Sequence, residues 1–155
     1  MIKLIRVDHR LIHGQVAVAW FGNLHANSIL IANDDVINDP IRKASLKMAM
    51  PSGGKLVMQN IEKSIESINS GVTDKYNLMI IVETIHDAYR LIEGMKKKPQ
   101  RLNIGGTKAL VDGKNIARAV DISEEDSKEL RSLINQGVNV EIQLVPSSNK
   151  VVLTE

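Results

Sequence analysis

The chain of 155 residues has no cysteine. That excludes a disulfide scaffold, a thiol nucleophile, a zinc–cysteine site and an iron–sulfur cluster. Aromatic residues are only 3% of the sequence, as Trp20, Phe21, Tyr76 and Tyr89. These are too few to build base-stacking platforms. Neither sign of charge dominates. Twenty basic residues against eighteen acidic ones leave a formal net charge of +2, a mixed surface with no nucleic-acid footprint. The opening Met1-Ile2-Lys3-Leu4-Ile5-Arg6 lacks the long apolar core and cleavage pattern of a signal peptide. The longest uncharged run, residues 14–33, reaches the twenty residues of a membrane span if His25 is counted neutral. Gln15, Asn23, His25, Asn27 and Ser28 interrupt it, so it reads as a helix followed by a strand. A soluble, cytosolic chain is expected.

What is present alternates strand and helix from end to end. Apolar runs predict strands at residues 2–7, 28–32, 55–58, 77–82 and 102–104, a short edge strand at 114–120, and a last strand at 138–145 stopped by Pro146. Helices are predicted at 14–24, from Asp39-Pro40 to about Met50, at 60–70 with Gly71 past the end, from Thr84 through Lys98, and after Ser123 up to Gly137. The tail, residues 147–155, either frays or pairs at an edge. Repeated strand–helix–strand units with apolar strands predict an α/β fold. It is a three-layer sandwich in which an open, mostly parallel twisted sheet of about six to seven strands has helices on both faces. Residues 1–155 are expected to form a single domain of ordinary size.

In such folds, sites form at the carboxyl ends of the strands. The loop Asp8-His9-Arg10-Leu11-Ile12-His13-Gly14-Gln15 is the most unusual of those candidates. His13 sits where the loop meets a helix, and free N–H groups at a helix start favour an anion. Gly14 lets a phosphate or another chain approach the backbone. Arg10 is close enough to fold its guanidinium over the same spot and grip two phosphate oxygens. Asp8 is available to orient either Arg10 or a histidine ring. The assembly describes a nucleophilic imidazole in an anion cradle. On local chemistry alone, a surface or packing histidine is the somewhat commoner reading, and His9 is a rival. His25 reads as a helix-end residue and His86 as a solvated one. Asp34 and Asp35 read as turn and cap residues rather than Mg²⁺ ligands. Ser52-Gly53-Gly54-Lys55 fails as a P-loop and no G-x-G-x-x-G occurs.

The segment from Arg6 to Val16, RVDHRLIHGQV, strongly resembles the active loop of enzyme IIB of the mannose/fructose/sorbose family, in the bacterial phosphoenolpyruvate-dependent sugar phosphotransferase system (PTS). Asn33-Asp34-Asp35-Val36 with Asn38-Asp39-Pro40-Ile41-Arg42-Lys43, Leu102-Asn103-Ile104-Gly105-Gly106, and Gly137-Val138-Asn139-Val140-Glu141-Ile142-Gln143 with Pro146 resemble further stretches, so the likeness spans the chain. The resemblance implies that His13 accepts a phosphoryl group on Nδ1 from a IIA phosphohistidine. The group then passes to a hexose-type sugar entering through the membrane subunits IIC and IID. Arg10 is the supporting arginine by the same likeness. Asp8, His9, Leu11, Ile12, Gly14 and Gln15 form the supporting loop, and Asp34, Gly105, Gly106 and Thr107 are candidates for the rim. His9 departs from the small or acidic residue usual in the family and is expected to point outward. Thr107 stands where a hydrophobic residue is expected. No metal or cofactor is implied. The chain is expected in the cytoplasm, held at the inner membrane face through IIC and IID; a homo-oligomer is compatible but not required. The competing reading is a non-catalytic α/β module that binds a phosphorylated metabolite.

Overall fold

A computed structural model describes residues 1–154. The elements in chain order are β1 (Ile2–Asp8), α1 (Gly14–Asn23), β2 (Ser28–Ala32), a 3-10 turn (Val36–Asn38), α2 (Pro40–Ala49), β3 (Lys55–Gln59), α3 (Ile61–Ser70), β4 (Leu78–Val82), α4 (Ile85–Gly94), β5 (Arg101–Gly106), β6 (Lys114–Ala117), β7 (Val120–Ile122), α5 (Glu124–Asn135), β8 (Asn139–Ile142) and β9 (Val151–Leu153). The main sheet has seven strands in the order β3-β2-β4-β1-β5-β8-β9. Its pairs are parallel except β8 with β9.

Strand side chains alternate between faces, and each face finds its own cover. Leu4, Ile29, Ile31, Met79 and Ile81 pack with Trp20 of α1 and Leu46 of α2. Ile5, Val7, Leu30, Ile80 and Ile104 pack against Ile61 of α3, Leu91 and Ile92 of α4, and Leu130 and Leu133 of α5. Every residue of β2 and β4 is buried, as continuous apolar runs covered on both faces should be. Each large aliphatic side chain buried this way contributes roughly 1.5–3 kcal/mol.

Three boundaries differ from the sequence expectation. The expected edge strand at 114–120 is instead the hairpin β6–β7, a separate two-stranded sheet. Asp121 holds it, accepting from the Asn115 amide at 2.8 Å and from the Leu110 N–H at 3.0 Å. α4 ends at Gly94 rather than Lys98. Met95 turns extended, and the Lys98 ammonium donates back to the carbonyls of Ile92 and Glu93. The strand expected at 138–145 ends at Ile142, because the Gln143 side chain donates to the carbonyls of Pro146 and Ser148 and folds the chain into a loop. The tail then returns antiparallel to β8.

Helix ends follow their caps. Asp39, Asn60, Thr84 and Ser123 each accept from a first-turn N–H. Asn60→Ala removes the acceptor for the Lys63 N–H, now 2.7 Å away. We expect a loss of about 1 kcal/mol in urea unfolding; an unchanged midpoint would show that the cap contributes nothing.

Candidate active site

β1 and β5 are neighbours whose onward connections run to opposite sides of the sheet, β1 through α1 towards β2 and β5 towards β8. A crevice opens where adjacent connections diverge. Asp8 stands opposite Gly106 there, at the carboxyl ends of both strands, and the His9 N–H donates to the Gly106 carbonyl at 3.1 Å.

The loop that follows is fixed from both ends. One Asp8 carboxylate oxygen accepts the Arg10 N–H at 3.0 Å, and the Asp8 carbonyl accepts the Leu11 N–H at 2.9 Å. Leu11 adopts the left-handed conformation, φ 61°, which disfavours a residue with a Cβ. Its side chain and that of Ile12 are buried in the α1-side core, and that burial offsets the strain. With Leu11 and Ile12 turned inward, His13 emerges at the loop's end. It occupies the N-cap position of α1 and leaves the helix without a side-chain cap. The first-turn N–H groups of α1 therefore face the site with no intrahelical partner. Gly14, φ 42°, makes the entry into the helix.

The His13 ring is 27% exposed, and its Nε2 lies 3.0 Å from Oδ2 of Asp8, itself 4% exposed. An ionised carboxylate only accepts. The neutral ring therefore carries its proton on Nε2 and presents a lone pair at Nδ1. The same Asp8 oxygen receives Nη2 of Arg6 at 3.3 Å. Alternation along β1 puts Arg6 and Asp8 on one face, beneath α1. The Arg6 guanidinium is enclosed. It donates to the Asn103 side chain and to the carbonyls of Gln143 and Leu144, and it lies 5.4 Å from the centroid of the Trp20 ring. The Trp20 indole N–H donates to the same Leu144 carbonyl at 2.9 Å. Burial pulls the guanidinium below its ordinary pKa, while Asp8 opposes that shift.

The loop is legible in the sequence; its support is not. Arg6 opens the segment that resembles the active loop and Asn103 lies in a second such stretch, but the resemblance does not mark either of them, Trp20 or the 143–144 carbonyls as the support of Asp8. The available signal was a charged residue between Ile5 and Val7 in an apolar strand, with a second charge two residues on. Of the two roles open to Asp8, the structure has it orient the histidine ring; from Arg10 it takes the backbone N–H, and the Arg10 side chain is exposed. His9 is half-buried beside Gly106. Gln15 is exposed on the first turn of α1.

The rim candidates divide. A Cβ at Gly105 would collide with the Arg6 guanidinium, so this glycine makes room for the support. The Thr107 hydroxyl accepts from the Asp121 N–H and donates to the Asp121 carbonyl, bracing the β6–β7 hairpin. Asp34 serves other elements: it accepts the Ile61 N–H and the Arg90 guanidinium, which hold its carboxyl below the usual range. His25 is exposed at the end of α1, and His86 is exposed and pairs with Glu129 at 2.7 Å.

Comparison with known proteins defines the class. Residues 2–155 match the family described as PTS system sorbose subfamily IIB component. The sorbose-specific EIIB component of Klebsiella pneumoniae is 32% identical over 151 residues, covering 97% of this chain and 91% of that protein. The N-acetylgalactosamine-specific phosphotransferase enzyme IIB component 2 of Escherichia coli is 32% identical over 97% of this chain and 94% of its own length. The crystal structure of the IIBSor domain of the Klebsiella pneumoniae sorbose permease superposes with a TM-score of 0.92 at 30% identity, covering 99% of this chain and 94% of that one. The chain belongs to the sorbose-type IIB family of the phosphotransferase system. Its activity is that of a sugar-specific IIB component, a protein-phosphohistidine–sugar phosphotransferase.

Arg6→Met leaves the Asp8 carboxylate buried without its guanidinium. We expect a loss of about 3–5 kcal/mol in urea unfolding. Adding Asp8→Asn to that background should recover part of the loss, since a buried amide is less costly than a lone charge. A purely additive double variant would contradict the pairing.

Proposed function

We propose that His13 is the residue that carries the phosphoryl group. The observation behind this reading is the Asp8–His13 contact of 3.0 Å, which leaves Nδ1 as the nucleophile beside an uncapped helix start. His13 Nδ1 attacks the phosphorus of a phosphohistidine on a IIA donor. The new N–P bond forms as the donor's N–P bond breaks, so one phosphohistidine replaces another. Positive charge grows on the ring during attack, and the Asp8 carboxylate stabilises it through the Nε2 proton. Arg10 and the N–H groups at the start of α1 hold the phosphoryl oxygens. In the second transfer, a hydroxyl oxygen of a hexose-type sugar attacks the phosphorus. The hydroxyl proton passes to water as the His13 N–P bond breaks, and the ring returns to its neutral form with the proton still on Nε2.

Sorbose-, N-acetylgalactosamine-, fructose- and mannose-specific relatives support a hexose-type acceptor. The sugar arrives through IIC and IID. Among the described residues no helix is long and apolar enough to cross a membrane. In this reading residues 1–155 act as one IIB domain in the cytoplasm, held at the inner face of the membrane by those subunits.

The test is incubation with phosphoenolpyruvate, the general carrier proteins and the cognate IIA. The wild-type chain should gain an acid-labile, base-stable phosphate. His13→Ala should gain none while keeping its circular dichroism spectrum; label that survives the substitution, or moves to His9, contradicts the assignment. A protein that only binds a phosphorylated metabolite would show saturable binding and no covalent label. In the same assay we expect Arg10→Ala to transfer at least tenfold more slowly with little change in unfolding. Asp8→Asn should slow transfer on the order of a hundredfold, because the ring loses the acceptor that fixes its tautomer. Wild-type rates in either variant would remove that residue from the mechanism.

A further inference from the structure

A cluster of positive charge stands at the other end of the sheet. β1 runs seven residues, so its amino end lies about 20 Å from the catalytic loop. There the start of β1, the end of α3 and the turn between α4 and β5 enclose a cleft of about 670 Å³, within the range of small-molecule sites. Lys3, Lys96 and Lys97 line it, and Asp74 is its one acid among the described residues. Ile68 and Met95 give it an apolar wall.

Lysines that follow a helix ordinarily meet its last carbonyls. In α4 other groups do this. Lys98 donates to the carbonyls of Ile92 and Glu93, and the Asn69 amide donates to that of Gly94 at 2.8 Å. The Asn69 side-chain oxygen also accepts the Lys96 N–H at 2.9 Å, and Met95 is buried. The turn that carries Lys96 and Lys97 is therefore anchored, while their ammonium groups have no helix end to serve. Arg101, in the same lining, is paired with Glu141 at 3.1 Å. Among the described residues, the lysines with an ion pair or a side-chain hydrogen bond are Lys55, Lys63, Lys98 and Lys150. Lys3, Lys96 and Lys97 have neither.

We infer that this cleft is a binding site for a sugar phosphate, the class of compound that the phosphotransfer itself produces. Ammonium groups gathered around a concave surface focus a positive field that draws in an anion. A phosphate monoester is the anion that fits. It carries about two negative charges near neutrality. It also has three terminal oxygens, one for each unpaired ammonium, and lysine meets phosphate as a point charge. The remaining lining sets the rest of the ligand. The Asp74 carboxylate and the Gln100 amide line the same cleft, have no side-chain partner among the described residues, and are available to hydroxyl groups. Ile68 and Met95 offer an apolar surface to the C–H face of a sugar ring. The site is separate from the catalytic loop, so the inference stands whether or not His13 carries the phosphoryl group.

The experiment titrates the nitrogen-15-labelled, unphosphorylated chain with glucose 6-phosphate and follows its amide NMR signals. Saturable shifts are expected at Lys96, Lys97 and their neighbours, and none with glucose. Lys96→Glu/Lys97→Glu alters two exposed positions, so its unfolding midpoint should match the wild type while its Kd for glucose 6-phosphate rises at least tenfold. Lys114→Glu/Lys128→Glu makes the same change of charge at two exposed positions elsewhere and should bind within twofold of wild type. An absence of saturation up to about 10 mM overturns the proposal. So do shifts confined to residues 9–15, which would put the probe on the catalytic loop, and an equal loss in both double variants, which would mean diffuse charge attraction. Inorganic phosphate bound as tightly as glucose 6-phosphate removes the sugar from the assignment and overturns it as stated. Sedimentation with phosphatidylglycerol vesicles that depends on Lys96 and Lys97, without binding of glucose 6-phosphate, assigns the lysines to a lipid surface and overturns it too.

Discussion

The site depends on one buried carboxylate with two basic partners. Asp8 at 4% exposure is placed where an ion is costly, and Arg6 compensates it from below while His13 meets it from above. The guanidinium in turn needs acceptors for its remaining N–H groups. It finds them on Asn103 of β5 and on the carbonyls of Gln143 and Leu144 beyond β8. Residues far apart in the chain thereby converge on the orientation of one imidazole ring. Gly105 belongs to the same arrangement by what it lacks, since any side chain there would take the space of the guanidinium.

The topology explains why the ring lies where it does. β1 is interior to the sheet, and its connection departs in the opposite direction from that of β5. The loop after β1 therefore stands in open space above the sheet edge, while Leu11 and Ile12 anchor it in the core. The buried part of the loop ends at Ile12, and His13 begins the partly exposed part. A phosphoryl carrier must meet two different partners with one side chain. A ring fixed at its inner nitrogen and open at its outer one can do so without rearranging.

Much of this could be read from the sequence, because the strands are continuous apolar runs and four helices carry side-chain caps. The motif from Arg6 to Val16 pointed to the family and to His13. What stayed hidden was decided by tertiary contacts. The β6–β7 hairpin turns through Arg118 and Ala119, and Ala119 has φ 65°, with no glycine or asparagine there to announce a turn. The end of α4 is masked in the sequence because Met95 is buried and continues the apolar period. The lysine that closes its last carbonyls lies beyond it in sequence. The enclosure of Arg6 is not legible in its motif, since three of its four hydrogen-bond partners lie 97 to 138 positions away.

The central claim is that Asp8 holds the Nε2 side of His13 so that Nδ1 takes the phosphoryl group. Nitrogen-15 and phosphorus NMR of the ring-labelled chain, phosphorylated through IIA, reads this directly. The account predicts phosphorus coupling to Nδ1 of His13 and a proton retained on Nε2. Phosphorus bonded to Nε2, or to another residue, would contradict it.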